Sequence, residues 1–136
     1  MQFGSHLTLD GYGGSYEKLF DRTLVEKCLL DLTEQIGMVP LAPPTSYVAP
    51  AISDLDKGGV VGFVVVTTSH ISCHTFPYRG FVSIDVFTCQ GEIDRQFVVD
   101  FFVRTFDLAD TEVNYLKRGT RFPLQDLYVE RTANEY

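Results

Sequence analysis

Three consecutive stretches with the pattern of β-strands, all between Val60 and Thr88, constrain the fold of this chain more than any other feature. Val60 to Thr67 is a β-branched apolar run, typical of a strand that is buried on both faces. Ser69 to Thr75 and Phe81 to Thr88 alternate polar and apolar residues, and Pro77 to Gly80 supply a turn between them. The pattern therefore predicts a β-hairpin that directly follows a buried strand.

Two amphipathic helices are predicted on either side of these strands. Thr23 and Glu26 have the spacing of a capping box, and Gly37 is placed to end the first helix. Its apolar residues recur at helical spacing: Leu24, Val25, Cys28, Leu29, Leu32 and Ile36. Asp94 is placed to cap a second helix. The apolar stripe of that helix consists of Phe97, Val98, Phe101, Phe102 and Phe106.

Shorter segments complete the predicted sheet. His6 to Asp10 alternates as a half-buried strand, and Gly11 to Gly14 predicts a turn. Prolines between Val39 and Pro50 leave room for a short strand near Ser46 to Val48, and Glu112 to Leu116 predicts a last strand. The segment from Lys117 onward is polar and receives no assignment.

The order of elements predicts an α+β fold, a two-layer sandwich in which both helices cover one face of an antiparallel sheet. A chain of 136 residues fits a single domain, residues 1–136. The strands carry more apolar residues than one helical layer buries, so we expect a second subunit on the far face and hence a homodimer.

Charge and cysteine content exclude several classes of protein. A net charge of −7 argues against nucleic acid or an anionic membrane as the main partner, because both attract clustered Lys and Arg. No signal peptide is evident and no apolar run approaches the roughly 18 residues of a membrane span, so we expect a cytoplasmic protein. Cys28, Cys73 and Cys89 form no CxxC pair, so neither a disulfide framework nor a metal site is expected.

Chemistry-bearing residues are concentrated in the run from Thr68 to Pro77, which reads Thr-Ser-His-Ile-Ser-Cys-His-Thr-Phe-Pro, and in Asp85 to Cys89, which reads Asp-Val-Phe-Thr-Cys. Taken singly, Ser69 is more often a turn residue, His70 and His74 are more often edge or core histidines, and Cys89 is most often a small core side chain. A metal-binding His-x-x-x-His requires helical spacing, which this β-rich stretch does not favour.

Taken together, these segments resemble the bacterial and archaeal S-adenosylmethionine decarboxylase proenzymes, whose signature is Glu-Ser-His-x-x-x-His-Thr-Trp-Pro followed by Phe-Thr-Cys. The resemblance extends from Gly4 to Leu116 and implies the same fold. It implies self-cleavage between Thr68 and Ser69 into pieces 1–68 and 69–136, with Ser69 becoming a pyruvoyl cofactor that forms a Schiff base with the substrate amine. It implies no metal.

The resemblance also implies a role for each matching residue. Ser69 Oγ attacks the carbonyl of Thr68 to form an ester, and His74 is the base for the elimination that follows. Cys89 is the proton donor to the substrate carbon after carbon dioxide leaves. The implied substrate is S-adenosylmethionine, and the product is the aminopropyl donor for spermidine synthesis.

Several positions depart from the family pattern and leave the substrate open. The family's Glu before the serine is Thr68, and its Trp and following Glu are Phe76 and Tyr78, the latter followed by Arg79. Where the family has the Ser of a Val-Ser-Gly run, this chain has Val61. Leu55 is the nearest match by position to the family's adenine-stacking Phe. Candidate substrate-binding residues are therefore Phe76, Tyr78, Leu55 and Asp85.

Three interpretations remain at this point. The first keeps S-adenosylmethionine, with an aromatic residue such as Phe76 or Tyr78 as a replacement platform. The second is a pyruvoyl-dependent arginine or ornithine decarboxylase, in which Asp54, Asp56 or Asp85 meets the cationic end of the substrate. The third is an unprocessed homologue that binds a ligand without activity. Asp85 is also a candidate to orient His74 across the hairpin, and an ordinary hydrogen-bonded strand acid fits it equally well.

Overall fold

Six β-strands and three α-helices make up residues 3–129, the part of the chain that this computed structural model describes. In chain order they are β1 (Gly4–Tyr12), α1 (Tyr16–Leu19), α2 (Arg22–Gln35), β2 (Thr45–Ala49), β3 (Gly59–Val66), β4 (Ser69–Phe76), β5 (Phe81–Thr88), α3 (Arg95–Phe106) and β6 (Asp110–Arg118). A 3-10 turn, Pro77–Arg79, joins β4 to β5. None of the helices in the described range is long and apolar enough to cross a membrane.

The strands form one sheet in the order β2-β3-β4-β5-β1-β6, and every neighbouring pair is antiparallel. β3 and β4 are joined by a two-residue turn, because Val66 pairs with Ser69. Gly11 and Tyr12, which the sequence assigns to a turn, instead continue β1 and pair with β6. The predicted antiparallel sheet and the predicted hairpin of β4 and β5 are confirmed.

One face of the sheet carries the helices and the core. α2 packs against β2, β3 and β4, while α3 packs against β1. Both helices contribute to one cluster of buried side chains with the inward residues of the strands, as predicted. The close approach of α2 explains Gly62 in β3, because a Cβ there would lie 2.8 Å from Cγ1 of Val25.

The helix termini partly correct the sequence analysis. α2 is capped by Asp21, whose side chain accepts a hydrogen bond from the Leu24 amide, so the predicted Thr23–Glu26 capping box is wrong. Glu26 instead accepts a hydrogen bond from the Ser46 hydroxyl and ties α2 to β2. The predicted cap of α3 is confirmed, since Asp94 accepts from the Phe97 amide. α1 is a single turn that the sequence analysis did not predict.

The opposite face, which we call the open face, consists of the outward residues of the six strands, and no helix within residues 3–129 covers it. On β4 it presents His70, Ser72, His74 and Phe76, whose neighbours on the other face are buried. Exposed apolar side chains of this face include Tyr47, Phe63, Val65 and Leu116. Residues 119–129, the described part of the chain after β6, form no helix or strand, although Phe122 stacks on Phe3 near the start of β1.

A buried hydroxyl connects the helical layer to the centre of the sheet. Thr75 Oγ1 donates to the Leu19 carbonyl at 2.6 Å and accepts from the Val60 amide at 3.0 Å. Thr75→Val preserves the volume but leaves both backbone groups unsatisfied in the core, so it should lower the free energy of unfolding by about 2–3 kcal/mol in urea unfolding. Thr33→Val is the control. Its hydroxyl donates to the Leu29 carbonyl, which lies within helix α2 and keeps its helical backbone hydrogen bond, so this substitution should cost less than about 1 kcal/mol. Equal losses would contradict this assignment.

Candidate active site

Ser69 and Cys89 meet at one end of the sheet. Ser69 is the first residue of β4 and pairs with Thr88, the last residue of β5, so Cys89 follows directly on its cross-strand partner. The Cys89 amide donates a hydrogen bond to the Thr68 carbonyl oxygen at 3.1 Å. That carbonyl is the one a nucleophilic Ser69 would attack. An N–H group already aimed at it can stabilise the negative charge that develops there.

The Ser69 hydroxyl has a titratable neighbour. Its Oγ lies 3.2 Å from Nδ1 of His70. On the other side of the Thr68–Ser69 peptide bond, the hydroxyls of Thr68 and Thr88 lie 3.4 Å apart. This peptide bond is therefore bordered by a serine hydroxyl, an imidazole and a backbone N–H donor, all supplied by one chain.

A ring of hydrogen bonds holds the loop that follows Cys89. The Ile93 amide donates to the Tyr115 hydroxyl, which donates to Ser5 Oγ at 2.8 Å, and Ser5 in turn donates to the Gly91 carbonyl at 2.7 Å. The Arg95 guanidinium carbon lies 3.8 Å from the centre of the Tyr115 ring. Side chains of β1 and β6 thus hold the loop that directly follows Cys89.

His74 lies near the other end of β4 and not beside Ser69. It is five positions further along the strand, which corresponds to about 16 Å. Its ring stacks on Phe76 with centroids 4.2 Å apart, and its Nε2 atom is shielded from solvent with no hydrogen-bond partner among the described residues. Burial lowers the pKa of His74, and the carboxylate of Asp56 opposes part of that shift. The imidazole is therefore neutral at pH 7 and available as a base.

The cross-strand neighbours of His74 are Val61 and Ser83, and neither contributes a charge. Of the two candidate roles of Asp85, orienting His74 is wrong, and the hydrogen-bonded strand acid is the one observed. Asp85 pairs with Ser72 in the sheet, and its carboxylate binds Nε2 of His6 at 2.9 Å. On its other side the His6 ring lies 3.1 Å from Arg118, so Asp85 belongs to a separate polar group on β1 and β6.

A cavity of about 340 Å³ opens beside the His74 end of the sheet. Its lining residues are Tyr12, Leu55, Phe76, Arg79 and Phe81. Two of the candidate substrate-binding residues, Leu55 and Phe76, are therefore brought together. The rings of Phe76 and Phe81 lie 5.5 Å apart, and those of Tyr12 and Phe81 lie 5.4 Å apart.

The other two substrate-binding candidates lie elsewhere. Tyr78 packs edge-on against Tyr16 and Phe20 of the α1 region and does not line the cavity. Asp85 is held by His6, as described above. Tyr12, Phe81 and Arg79 are the cavity residues that the sequence analysis missed. The alternation of β5 contained a usable signal, because Phe81 lies opposite Phe76 in the hairpin register.

The remaining cysteines have a structural role. Burial raises the pKa of Cys28 to about 12 and that of Cys73 well above its usual range, so both thiols stay protonated in the core. Cys89 is the half-exposed one. Within residues 3–129, no group of three or more His, Cys, Asp or Glu side chains is arranged to hold a metal ion.

Comparisons with known proteins identify similar sequences and a similar fold. A model of the family described as S-adenosylmethionine decarboxylase matches residues 5–119. An S-adenosylmethionine decarboxylase proenzyme from Geobacillus kaustophilus is 31% identical over 118 residues, covering 87% of this chain and 89% of that protein. One from Methanococcus maripaludis is 30% identical over 118 residues, with 87% and 91% covered. A crystal structure of the adenosylmethionine decarboxylase from Aquifex aeolicus has the same fold, with a TM-score of 0.71 at 21% identity over 96% of this chain and 98% of that one.

Proposed function

This chain belongs to the S-adenosylmethionine decarboxylase family, and on that premise we propose that it is a self-processing, pyruvoyl-dependent decarboxylase of S-adenosylmethionine, which makes the aminopropyl donor for spermidine synthesis. The observation that carries the proposal is the hydrogen bond from the Cys89 amide to the Thr68 carbonyl, directly beside the Ser69 hydroxyl. This arrangement prepares one peptide bond for attack by its own neighbouring side chain.

Processing divides the chain into residues 1–68 and 69–136, of which 130–136 lie outside the described range. Ser69 Oγ attacks the Thr68 carbonyl carbon, and the C–N bond gives way to an ester while the Cys89 amide supports the oxyanion. Removal of the Ser69 Cα proton then expels the Thr68 carboxylate. Both pieces stay in one domain because β3, before the cut, remains paired with β4, after it.

The base for the second step comes from a second copy of the chain. His74 is too far along β4 to reach Ser69 of its own chain, and the open face carries exposed apolar side chains that a homodimer would bury. In this dimer two copies pack open face against open face about a two-fold axis perpendicular to the strands. Such an axis places the Ser69 end of one sheet over the His74 end of the other. Ser69 of one protomer then meets His74 of the partner subunit.

The residues at the Ser69 end fit a pyruvoyl group, because Ser69 is half-buried, pairs with the residue before Cys89, and follows a carbonyl that the Cys89 amide binds. The group supplies a ketone that binds the substrate amine and accepts the electrons released with carbon dioxide. Cys89 holds the proton that goes to the substrate carbon. The hydrogen-bonded ring through Tyr115 and Ser5 fixes the loop behind this thiol.

The aromatic cavity at the His74 end accepts the adenine of the substrate. Phe76, Phe81 and Tyr12 present aromatic rings to it, and a flat heterocycle gains by stacking on such rings. Phe76 therefore takes the place of the adenine-stacking residue for which Leu55 is the nearest match in sequence. Arg79 lines the same cavity and would repel the cationic end of arginine or ornithine.

We expect processed protein to release carbon dioxide from carboxyl-labelled S-adenosylmethionine and not from arginine or ornithine at the same concentration. Phe76→Leu should raise the KM for S-adenosylmethionine by about tenfold, the equivalent of roughly 1–1.5 kcal/mol of lost stacking. Steady-state decarboxylation rates measure both effects.

Tyr78→Leu is the matched control, because Tyr78 lies two residues after Phe76 and its aromatic ring does not line the cavity. Its KM should stay within about twofold of the unchanged chain. Release of carbon dioxide from a basic amino acid alone would show that the proposed substrate is wrong. A larger effect of Tyr78→Leu than of Phe76→Leu would move the adenine site to α1.

A further inference from the structure

His70 contacts the processing nucleophile, yet none of the roles assigned above uses it. Its Nδ1 atom lies 3.2 Å from Ser69 Oγ, within the distance at which an imidazole can take a hydroxyl proton. His74 of the same chain is about 16 Å away along the strand and cannot make this contact.

The His70 ring is held in place by the open face. It meets Phe87, its cross-strand partner, edge-on with centroids 5.7 Å apart. Phe87 in turn has His6 5.6 Å away and the Arg118 guanidinium 4.9 Å above its ring. A ring braced in this way keeps Nδ1 directed at the hydroxyl without further ordering when the reaction begins.

The first processing step requires a group in contact with Ser69 Oγ. As the serine oxygen bonds to the Thr68 carbonyl carbon, the hydroxyl proton must leave, and the Ser69 nitrogen must gain a proton as the C–N bond breaks. One neutral imidazole can do both, because it accepts and returns the same proton. No second reactant is required.

We propose that His70 is the proton shuttle of the first processing step, which converts the amide to the ester. Nδ1 accepts the proton from Oγ and delivers it to the Ser69 nitrogen, and Nε2 carries the ring's own proton throughout. His74 of the partner subunit then serves the elimination alone. The inference rests on the proposed self-processing and adds a second histidine to it.

The test isolates the first step in a His74→Ala chain, which should form the ester and stop there. Labelled chains from a translation reaction are sampled after synthesis is halted, and the fraction cut by hydroxylamine measures the ester. His70→Gln in this background should slow ester formation at least about 100-fold, the usual contribution of a positioned base.

His6→Gln in the same background is the matched control, because His6 also packs on Phe87 but does not touch Ser69. It should form ester within a few-fold of the His74→Ala rate, because Arg118 still lies over the Phe87 ring. Circular dichroism should show all three chains folded. Ester formation by the His70→Gln chain at the control rate would overturn the role of His70 and leave the proposed function intact. Absence of ester from the His74→Ala chain itself would overturn the proposed function instead.

Discussion

Replacing Ser69 with alanine should leave every chain uncleaved and reduce decarboxylation below detection. The substitution removes the hydroxyl oxygen that forms the ester in the proposed processing and whose loss with the Thr68 carboxylate leads to the pyruvoyl group. The geometry around it stays intact, since the Cys89 amide still binds the Thr68 carbonyl through the backbone. Intact mass and carbon dioxide release measure the two losses.

Ser72→Ala is the matched control for this prediction. Ser72 lies on the same strand, pairs with Asp85 in the middle of the open face, and is remote from the scissile bond. The control chain should be cleaved and active to within a few-fold of the unchanged chain. Cleavage of the Ser69→Ala chain between residues 68 and 69, or activity in a chain that stays whole, would exclude Ser69 as the origin of the cofactor.

The sheet could be predicted from the sequence because alternation records which face of a strand is buried. In β4 and β5 every second residue is in the core, and the pattern specified both strands and the turn between them. The cap of α3 could also be predicted, because Asp94 lies just before the apolar stripe of the helix. Residues close together in the sequence determine these features, so the sequence alone predicts them.

Features that depend on distant contacts were missed. Thr23 and Glu26 have capping spacing, but Glu26 is drawn to Ser46 of β2 and Asp21 caps the helix instead. Asp85 is two positions from the strand partner of His74, yet β1 brings His6 against its carboxylate. Pairing of β1 with β5 joins residues 71 to 83 positions apart, and no short motif encodes such a neighbour.

The division of the candidate site between two ends of one sheet is also absent from the sequence motif. The run from Ser69 to His74 places both residues within a few positions, but an extended strand separates them by about 16 Å. Ser69, His70 and Cys89 lie at one end of β4, while His74, Phe76 and the aromatic cavity lie at the other. On the proposed function, each protomer therefore holds two half-sites that a second protomer combines.

Mixed dimers should consequently recover processing from two chains that fail alone. A Ser69→Ala chain has no nucleophile and a His74→Ala chain stops at the ester, so neither should yield the smaller pieces by itself. When they are co-expressed, Ser69 of the second faces His74 of the first across the interface. At equal expression, about half of the His74→Ala chains lie in mixed dimers, and these should be fully cleaved. Separately tagged chains on a denaturing gel measure this fraction.

The matched control is co-expression of the His74→Ala chain with a Ser69→Ala/His74→Ala chain. These dimers form through the same surfaces but contain no His74, so the ester should persist and break only on adding hydroxylamine. Recovery with the single variant and not with the double variant requires His74 to act across the interface. If the His74→Ala chain stays at the ester in both mixtures, although mixed dimers are recovered through their tags, the base acts within one chain, and β4 must bend to bring its two ends together.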